Sequence, residues 1–355
     1  MSSWEYTETE LWRYGEGEVS MYHVFGCIAF SRNVLTFAEA REGDASDANC
    51  PHSIVMRRSD NGGKTFYPSV TLVPAHGNCY INPVPLYDRE TRRLFLFFAQ
   101  NIGNTMTQNY VMYSDNAGVT WSRPQNITPA LDKEFDFHIP GPGHGTQLKN
   151  GRLLVPFWHR KHGVEVPKQE RGYCVSYLVS DDNGKTWEHK GYFGQNCLTN
   201  ESRITETADR LIWNARGGDP YRYESYSYDG GDSWSEFAPA PIPPAPRCDS
   251  SMVALSAGNG YEDTVVFSHV SHPEKRNDIE LIISRDGGRN YTDTLKLMQG
   301  DAMPGYSDMA VLYEDAPVIC LVHARNNHVL FSRISMQTLT GGKFEKTSRN
   351  VWINI

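Results

Sequence analysis

Two charged residues stand out in NESRITETADRLIWNARGGDPYRYESYSYDGGDSW, residues 200–234: Glu206 near the end of one strand-like run and Arg222 near the start of another, 16 residues on. A carboxylate can take a proton from a neighbouring hydroxyl. A guanidinium offers two parallel N–H donors to an oxyanion, a geometry lysine cannot match. Metal and thiol chemistry give no comparable signal. The seven cysteines (27, 50, 79, 174, 197, 248, 320) are scattered, odd in number and without a C-x-x-C pair, so they read as reduced thiols. The run from His159 to His162, H-R-K-H, has no third ligand at metal spacing. Neither a metal nor an organic cofactor is expected.

The elements that must carry such residues follow from a repeat. Five octets share the form S-x-[DN]-x-G-x-[TSN]-aromatic: SDNGGKTF (59–66), SDNAGVTW (114–121), SDDNGKTW (180–187), SYDGGDSW (227–234) and SRDGGRNY (284–291). Their starts lie 55, 66, 47 and 57 residues apart, one per supersecondary unit. Each reads as a tight hairpin. Asp or Asn accepts backbone N–H bonds across the turn, and Gly supplies a positive φ without steric cost. Each octet follows a β-rich run, as in HSIVMRRS, NYVMYS, YCVSYLVS, YRYESYS and IELIIS. The octet then joins strands three and four of a four-stranded unit. A last set (YSDMAVLY, APVICLVHA, HVLFSRI) lacks the octet, and its fourth strand must come from a terminus, either ELWRYG or NVWINI. The expectation is all-β: a six-bladed β-propeller, residues 1–355 forming one domain closed by a terminal strand. Up-and-down strands put all octets on one face. The chemistry belongs on the other face or along the central channel.

Composition agrees with a turn-rich β fold: 12% aromatic residues, 30 Gly and 20 Pro. A net charge of −8 with no basic run argues against nucleic acid and anionic membrane as partners. No apolar stretch reaches the roughly 18 residues of a membrane span. The N-terminal MSSWEYTETELWRYGEGEVS shows no signal peptide, so the expectation is cytoplasmic, or secreted if a leader was removed.

Taken together, FAEAR (37–41), IVMRRS (54–59), GPGH (141–144), NESRITE (200–206), HPEKR (272–276) and GYSDM (305–309) resemble the sialidase (neuraminidase) superfamily over roughly residues 20–335. The likeness is greatest to non-viral exo-sialidases, and the octets look like that family's Asp-boxes. The resemblance implies a glycoside hydrolase with Tyr306 as nucleophile, Glu206 as its base and Asp47, 12 residues before Ser59, as the acid/base. Asp44 is the alternative to Asp47. A neutral phenol suits a sugar that carries a carboxylate on its anomeric carbon. With a free pKa of about 10 it needs a neighbouring carboxylate to take its proton. Arg222 and Arg276 resemble two members of a three-arginine clamp. At the third position stands His23, 24 residues before Asp47.

Carboxylate-dependent activity is therefore expected to rise as pH falls through about 6–7, where an imidazole charges. Trp158, His159 and His144 are candidates for lining the sugar site. Glu201 is read as support for Arg222, and Arg57 and Arg58 as structural. The leading expectation is a retaining exo-α-glycosidase releasing sialic acid or a related nonulosonic acid from a glycan or glycoconjugate. A sialidase-like glycosidase on a different sugar and a catalytically weak glycan-binding propeller are the alternatives. A lyase on uronic-acid polysaccharides is more distant.

Overall fold

The computed structural model describes residues 5–43, 46–161, 165–255, 261, 263–272, 274–297 and 305–341. Among these, helix amounts to one α-turn at Met336–Leu339 and three 3-10 turns, and everything else regular is strand. Strands in the middle of a blade are covered on both faces: Cys174–Ser180 and Ile279–Ser284 are buried at every position. Outer strands alternate, and Tyr291–Lys296 exposes every second residue.

The described strands form a propeller. Four blades are separate sheets. One holds Phe137–Pro140 and Thr146–Gln147 on the same edge of Leu153–Arg160, followed by Cys174–Ser180 and Glu188–Phe193. The next two run Ser202–Glu206, Leu211–Arg216, Arg222–Ser227, Ala238–Pro239, then Met252–Ala254, Val265–Val270, Ile279–Ser284, Tyr291–Lys296. The last holds Ser307–Tyr313, Pro317–Arg325 and His328–Ser335, completed by the N-terminal Tyr6–Arg13. Thus the ELWRYG segment closes the ring, while NVWINI lies outside the described residues.

The expected six separate blades are not found. The eight strands from Val19–Phe30 to Gln125–Asn126 form one sheet. Its halves meet where His52 and Cys79 pair in parallel. That pairing needs only one extra bridge, because the short outer strand Val70–Val73 leaves His52 uncovered at the end of its own strand.

Each octet folds by the same local bonds. In the fourth, Ser227 Oγ accepts from Gly231 N at 2.9 Å and donates to Asp229 Oδ1 at 2.8 Å, and Asp229 Oδ1 accepts from Ser233 N at 2.9 Å. Each turn then packs on the preceding strand set. A Cβ on Gly118 would strike Leu35, on Gly184 Phe95, on Gly288 Ile212, and on Gly63 Phe331 of the last sheet. These glycines have positive φ and no room for a side chain, so they stitch neighbours together around the ring. The buried guanidinium of Arg333 completes the last contact, donating to Gly62 O and Glu5 Oε1.

Candidate functional site

Antiparallel strands sort residues by end. Those just before an innermost strand lie on the face opposite the octets. Tyr306 immediately precedes Ser307–Tyr313, and Glu201 immediately precedes Ser202–Glu206. The two meet: Tyr306 Oη donates a short hydrogen bond to Glu201 Oε1. The other oxygen of Glu201 accepts from Arg216 Nη1 at 2.6 Å. Burial alone would raise the Glu201 carboxyl, but Arg216, the Tyr306 hydroxyl and Arg276 outweigh it and hold it below the usual range. Burial, then Glu201, pushes the Tyr306 phenol well above 10. The result is a line of phenol, carboxylate and guanidinium in which the carboxylate is ionised and the phenol protonated.

Two further groups stand beside the Tyr306 ring, and Arg41 acts on one of them, His23. The His23 ring lies 4.2 Å from the phenol ring, edge-on at 62°. The Arg276 guanidinium lies 5.9 Å from the same ring, and its Nη2 donates to Arg247 O at 2.8 Å. Gly305 permits this approach, since a Cβ there would come within 2.8 Å of Arg276 Cδ and Cys248 Cβ. Arg41 donates to Glu39 Oε2 at 2.7 and 3.0 Å and to Asp47 Oδ1 at 2.8 Å. The Asp47 side chain is 86% exposed. Asp44 and His162 lie outside the described residues.

Several sequence expectations are corrected. Glu206 does not face Tyr306. It ends the strand that Glu201 precedes, so it lies on the octet face. There its Oε2 accepts from Lys149 N at 2.7 Å. It lines a cavity of about 230 Å3 together with Tyr87, Arg89 and Tyr313. Arg222 is 5% exposed and held inside the protein, with Nε on Asn214 Oδ1 at 2.5 Å and Nη1 on Cys248 O at 3.2 Å. Burial lowers its pKa to about 10. Its register partner Arg216 carries the bond to Glu201 instead.

His159 is fully buried, 2.6 Å from His138 through their Nδ1 atoms, so it does not line a sugar site. His144 lines the same cavity as Glu206, its Nδ1 2.9 Å from Asp308 Oδ1. Trp158 is half-buried against Phe137 and Tyr173, and its Nε1 has no partner. His23 is not poised to charge near neutrality. Burial, then Arg41 and Arg276, drive its pKa well below 6.5, so it presents a neutral ring. Its buried Nδ1 has no hydrogen-bond partner.

The residues that sequence reasoning missed are Glu201 as the partner of Tyr306, and Arg216 and Arg41 as neighbouring cations. Strand polarity was the available signal: Glu201 and Tyr306 both precede an innermost strand, whereas Glu206 ends one. Among the described residues, no group of three or more His, Cys, Asp and Glu could hold a metal ion, and no helix is long and apolar enough to cross a membrane.

The geometry defines an all-β propeller with a buried tyrosine–carboxylate pair at one end of its axis. A sequence profile described as "BNR repeat-like domain" matches residues 35–323. The chain belongs to that family and is a member of the sialidase superfamily. It is 25% identical to sialidase-3 of Mus musculus over 81% of this chain and 83% of that protein. It is 27% identical to sialidase-2 of Rattus norvegicus over 72% and 74% of the two chains. Among solved structures, the Hadza microbial sialidase Hz136 superposes with a TM-score of 0.83 at 22% identity, over 94% of this chain and 69% of that one. An intramolecular trans-sialidase from Ruminococcus gnavus, in complex with oseltamivir carboxylate, superposes with a TM-score of 0.76 at 18% identity, over 93% and 98%.

Proposed function

We propose that the protein is a retaining exo-α-glycosidase, built on one propeller domain, that releases terminal sialic acid or a related nonulosonic acid from glycans. The observation that carries this reading is the Tyr306–Glu201–Arg216 line. A phenol that only packed a strand would need no ionised carboxylate on its oxygen. Here Glu201 accepts the proton as Tyr306 Oη attacks the anomeric carbon, and Arg216 stabilises the charge that Glu201 holds beforehand. Asp47 gives a proton to the departing oxygen, and the glycosyl–tyrosine bond forms as the glycosidic bond breaks. Asp47 then takes a proton from water as water attacks the same carbon and the phenol leaves, reprotonated from Glu201. A tyrosine nucleophile is a known exception to the two-carboxylate scheme.

Arg276, Arg41 and Arg216 are the cations placed to hold a substrate carboxylate. His23 supplies a neutral imidazole where the family resemblance implies a third clamping arginine. That neutrality favours a second reading, in which His23 meets a hydroxyl or amide of a different sugar. The seven cysteines, all free thiols, support a reducing compartment for this activity.

The test is a screen of methylumbelliferyl glycosides that includes several nonulosonic acids, with Tyr306→Phe as the blank. Trapping with a 3-fluoro sugar should label Tyr306. An adduct on another residue, or wild-type turnover by Tyr306→Phe, overturns the reading. Hydrolysis of a neutral glycoside but no sialoside selects the second reading.

A further inference from the structure

Beneath the loop that carries Asp47, two buried thiols flank one imidazole. Cys50 Sγ lies 3.2 Å from His52 Nε2, and Cys79 Sγ lies 3.3 Å from His52 Nδ1. Both thiols and the ring are at least nine-tenths buried. The loop's backbone hangs on this cluster. The Ser46 carbonyl lies 3.1 Å from His52 Nε2 and 3.6 Å from Cys50 Sγ. The Asp47 carbonyl accepts from Asn101 Nδ2 at 3.2 Å and from Cys79 Sγ at 3.6 Å.

A carbonyl only accepts, so the bond to Ser46 O assigns a ring proton to Nε2. The single proton of the Cys79 thiol goes to the Asp47 carbonyl, and His52 Nδ1 stands 3.3 Å from Cys79 Sγ and 3.8 Å from Glu39 Oε2. His52 is held where it is by the parallel pairing of His52 with Cys79 that joins the two halves of the eight-stranded sheet. The sheet junction and the loop anchor are thus the same residues.

We infer that Cys79, His52, Cys50 and Asn101 form a latch that positions Asp47 for proton transfer. The inference rests on the proposed role of Asp47 as acid and base. The carboxylate is exposed, and the hydrogen bond described for it, from the buried Arg41, holds one oxygen but not the loop's backbone. Two consecutive backbone carbonyls, each fixed by two buried donors, hold that backbone. Proton transfer requires heavy atoms within about 3 Å, and a displacement of about 1 Å costs on the order of a hundredfold. The four side chains touch no substrate in this scheme. They act through the loop.

The experiment compares an aryl and an alkyl glycoside of the same accepted sugar. Only the alkyl leaving group needs protonation, so a misplaced acid is read from the ratio of the two rates. Cys79→Ala should lower kcat/KM on the alkyl glycoside by roughly ten- to a hundredfold, mostly in kcat, and on the aryl glycoside by less than about threefold. Cys79→Ser, whose hydroxyl still donates, should restore most of the loss. Asn101→Ala removes the other donor to the same carbonyl and should give the same selective loss, so a Cys79 variant that fails to fold does not protect the idea. In an Asp47→Asn background, Cys79→Ala should add little. Equal losses on both glycosides, or none, overturn the latch. If Asp47→Asn itself shows no difference between the two glycosides, the assigned role of Asp47 fails, and the latch with it. If Asp47→Asn does and neither anchor variant does, the latch alone fails.

Discussion

The phenol of Tyr306 donates to the carboxylate of Glu201 across 105 residues of sequence, and both side chains are more than nine-tenths buried. The pair joins the starts of two innermost strands at one end of the propeller axis. Burial disfavours a bare phenolate, so in the proposed reaction the proton passes to Glu201 as Tyr306 attacks. Glu201 can receive it because Arg216 holds it ionised.

Glu201→Gln should therefore lower kcat by about a hundredfold to ten-thousandfold, the range for loss of a general base. Glu206→Gln should leave kcat/KM within about twofold, because Glu206 faces the octets and binds Lys149 N. Steady-state kinetics on the best aryl glycoside decide between them. The reverse pattern would restore Glu206 as the base.

His23 should not titrate in the working range, since burial, Arg41 and Arg276 hold it neutral. The pH profile of kcat/KM between about 6 and 7 should be the same for wild type and His23→Gln, which keeps a neutral donor. Loss of an acid-side rise in the variant would show that the imidazole charges after all.

Arg222→Met should affect stability before chemistry, because Arg222 is enclosed by Asn214, Cys248 and Phe267. Arg216→Met should cost activity even where the protein folds, because it removes the cation bonded to Glu201. Arg216→Met should lower kcat on an aryl glycoside by at least about tenfold, on the scale of a charge-assisted hydrogen bond. Arg222→Met should lower the melting temperature more than it lowers kcat.

Stability should fall on acidification in two separate windows. His138, His159 and His189 pack together, and burial lowers the pKa of each, that of His189 to about 4. An unfolded histidine titrates near 6.5, so the unfolded chain binds more protons below that pH. Their contribution is complete above about 6.5 and declines as pH drops toward 4. Asp182, Asp229 and Asp286 of the octets have pKa values near 2, Asp182 and Asp229 chiefly through the side-chain bonds from Thr186 and Ser233, and Asp286 through bonds that outweigh its burial. Their contribution is present above about 4 and is lost only below it. Melting temperature against pH should show the upper window flattened by His189→Gln. An unchanged slope would remove His189 from the acid response.

Ser227→Ala leaves the buried Gly231 N–H without its acceptor and should cost about 1–3 kcal/mol in urea unfolding. KM should not move, because the octets lie on the face away from Tyr306.

The octets were legible in the sequence because their bonds close within four residues. Serine, Asp or Asn, and glycine at fixed offsets determine such a turn wherever it stands, and its recurrence implied a propeller. Tyr306, Asp47 and Arg276 were legible as site candidates from their motifs. The choice between Glu201 and Glu206 turned on strand polarity and not on any motif. The two lie five residues apart around one strand, and only the direction of that strand in the sheet sends one to Tyr306 and the other to the opposite face. The exchange of Arg222 for Arg216 has the same origin, since they are register partners and only the packing of Glu201 selects between them. The joined sheet at His52 and Cys79 and the neutral state of His23 also had no local signature. Both follow from which side chains the closed ring brings against one another, and that is decided by long-range packing.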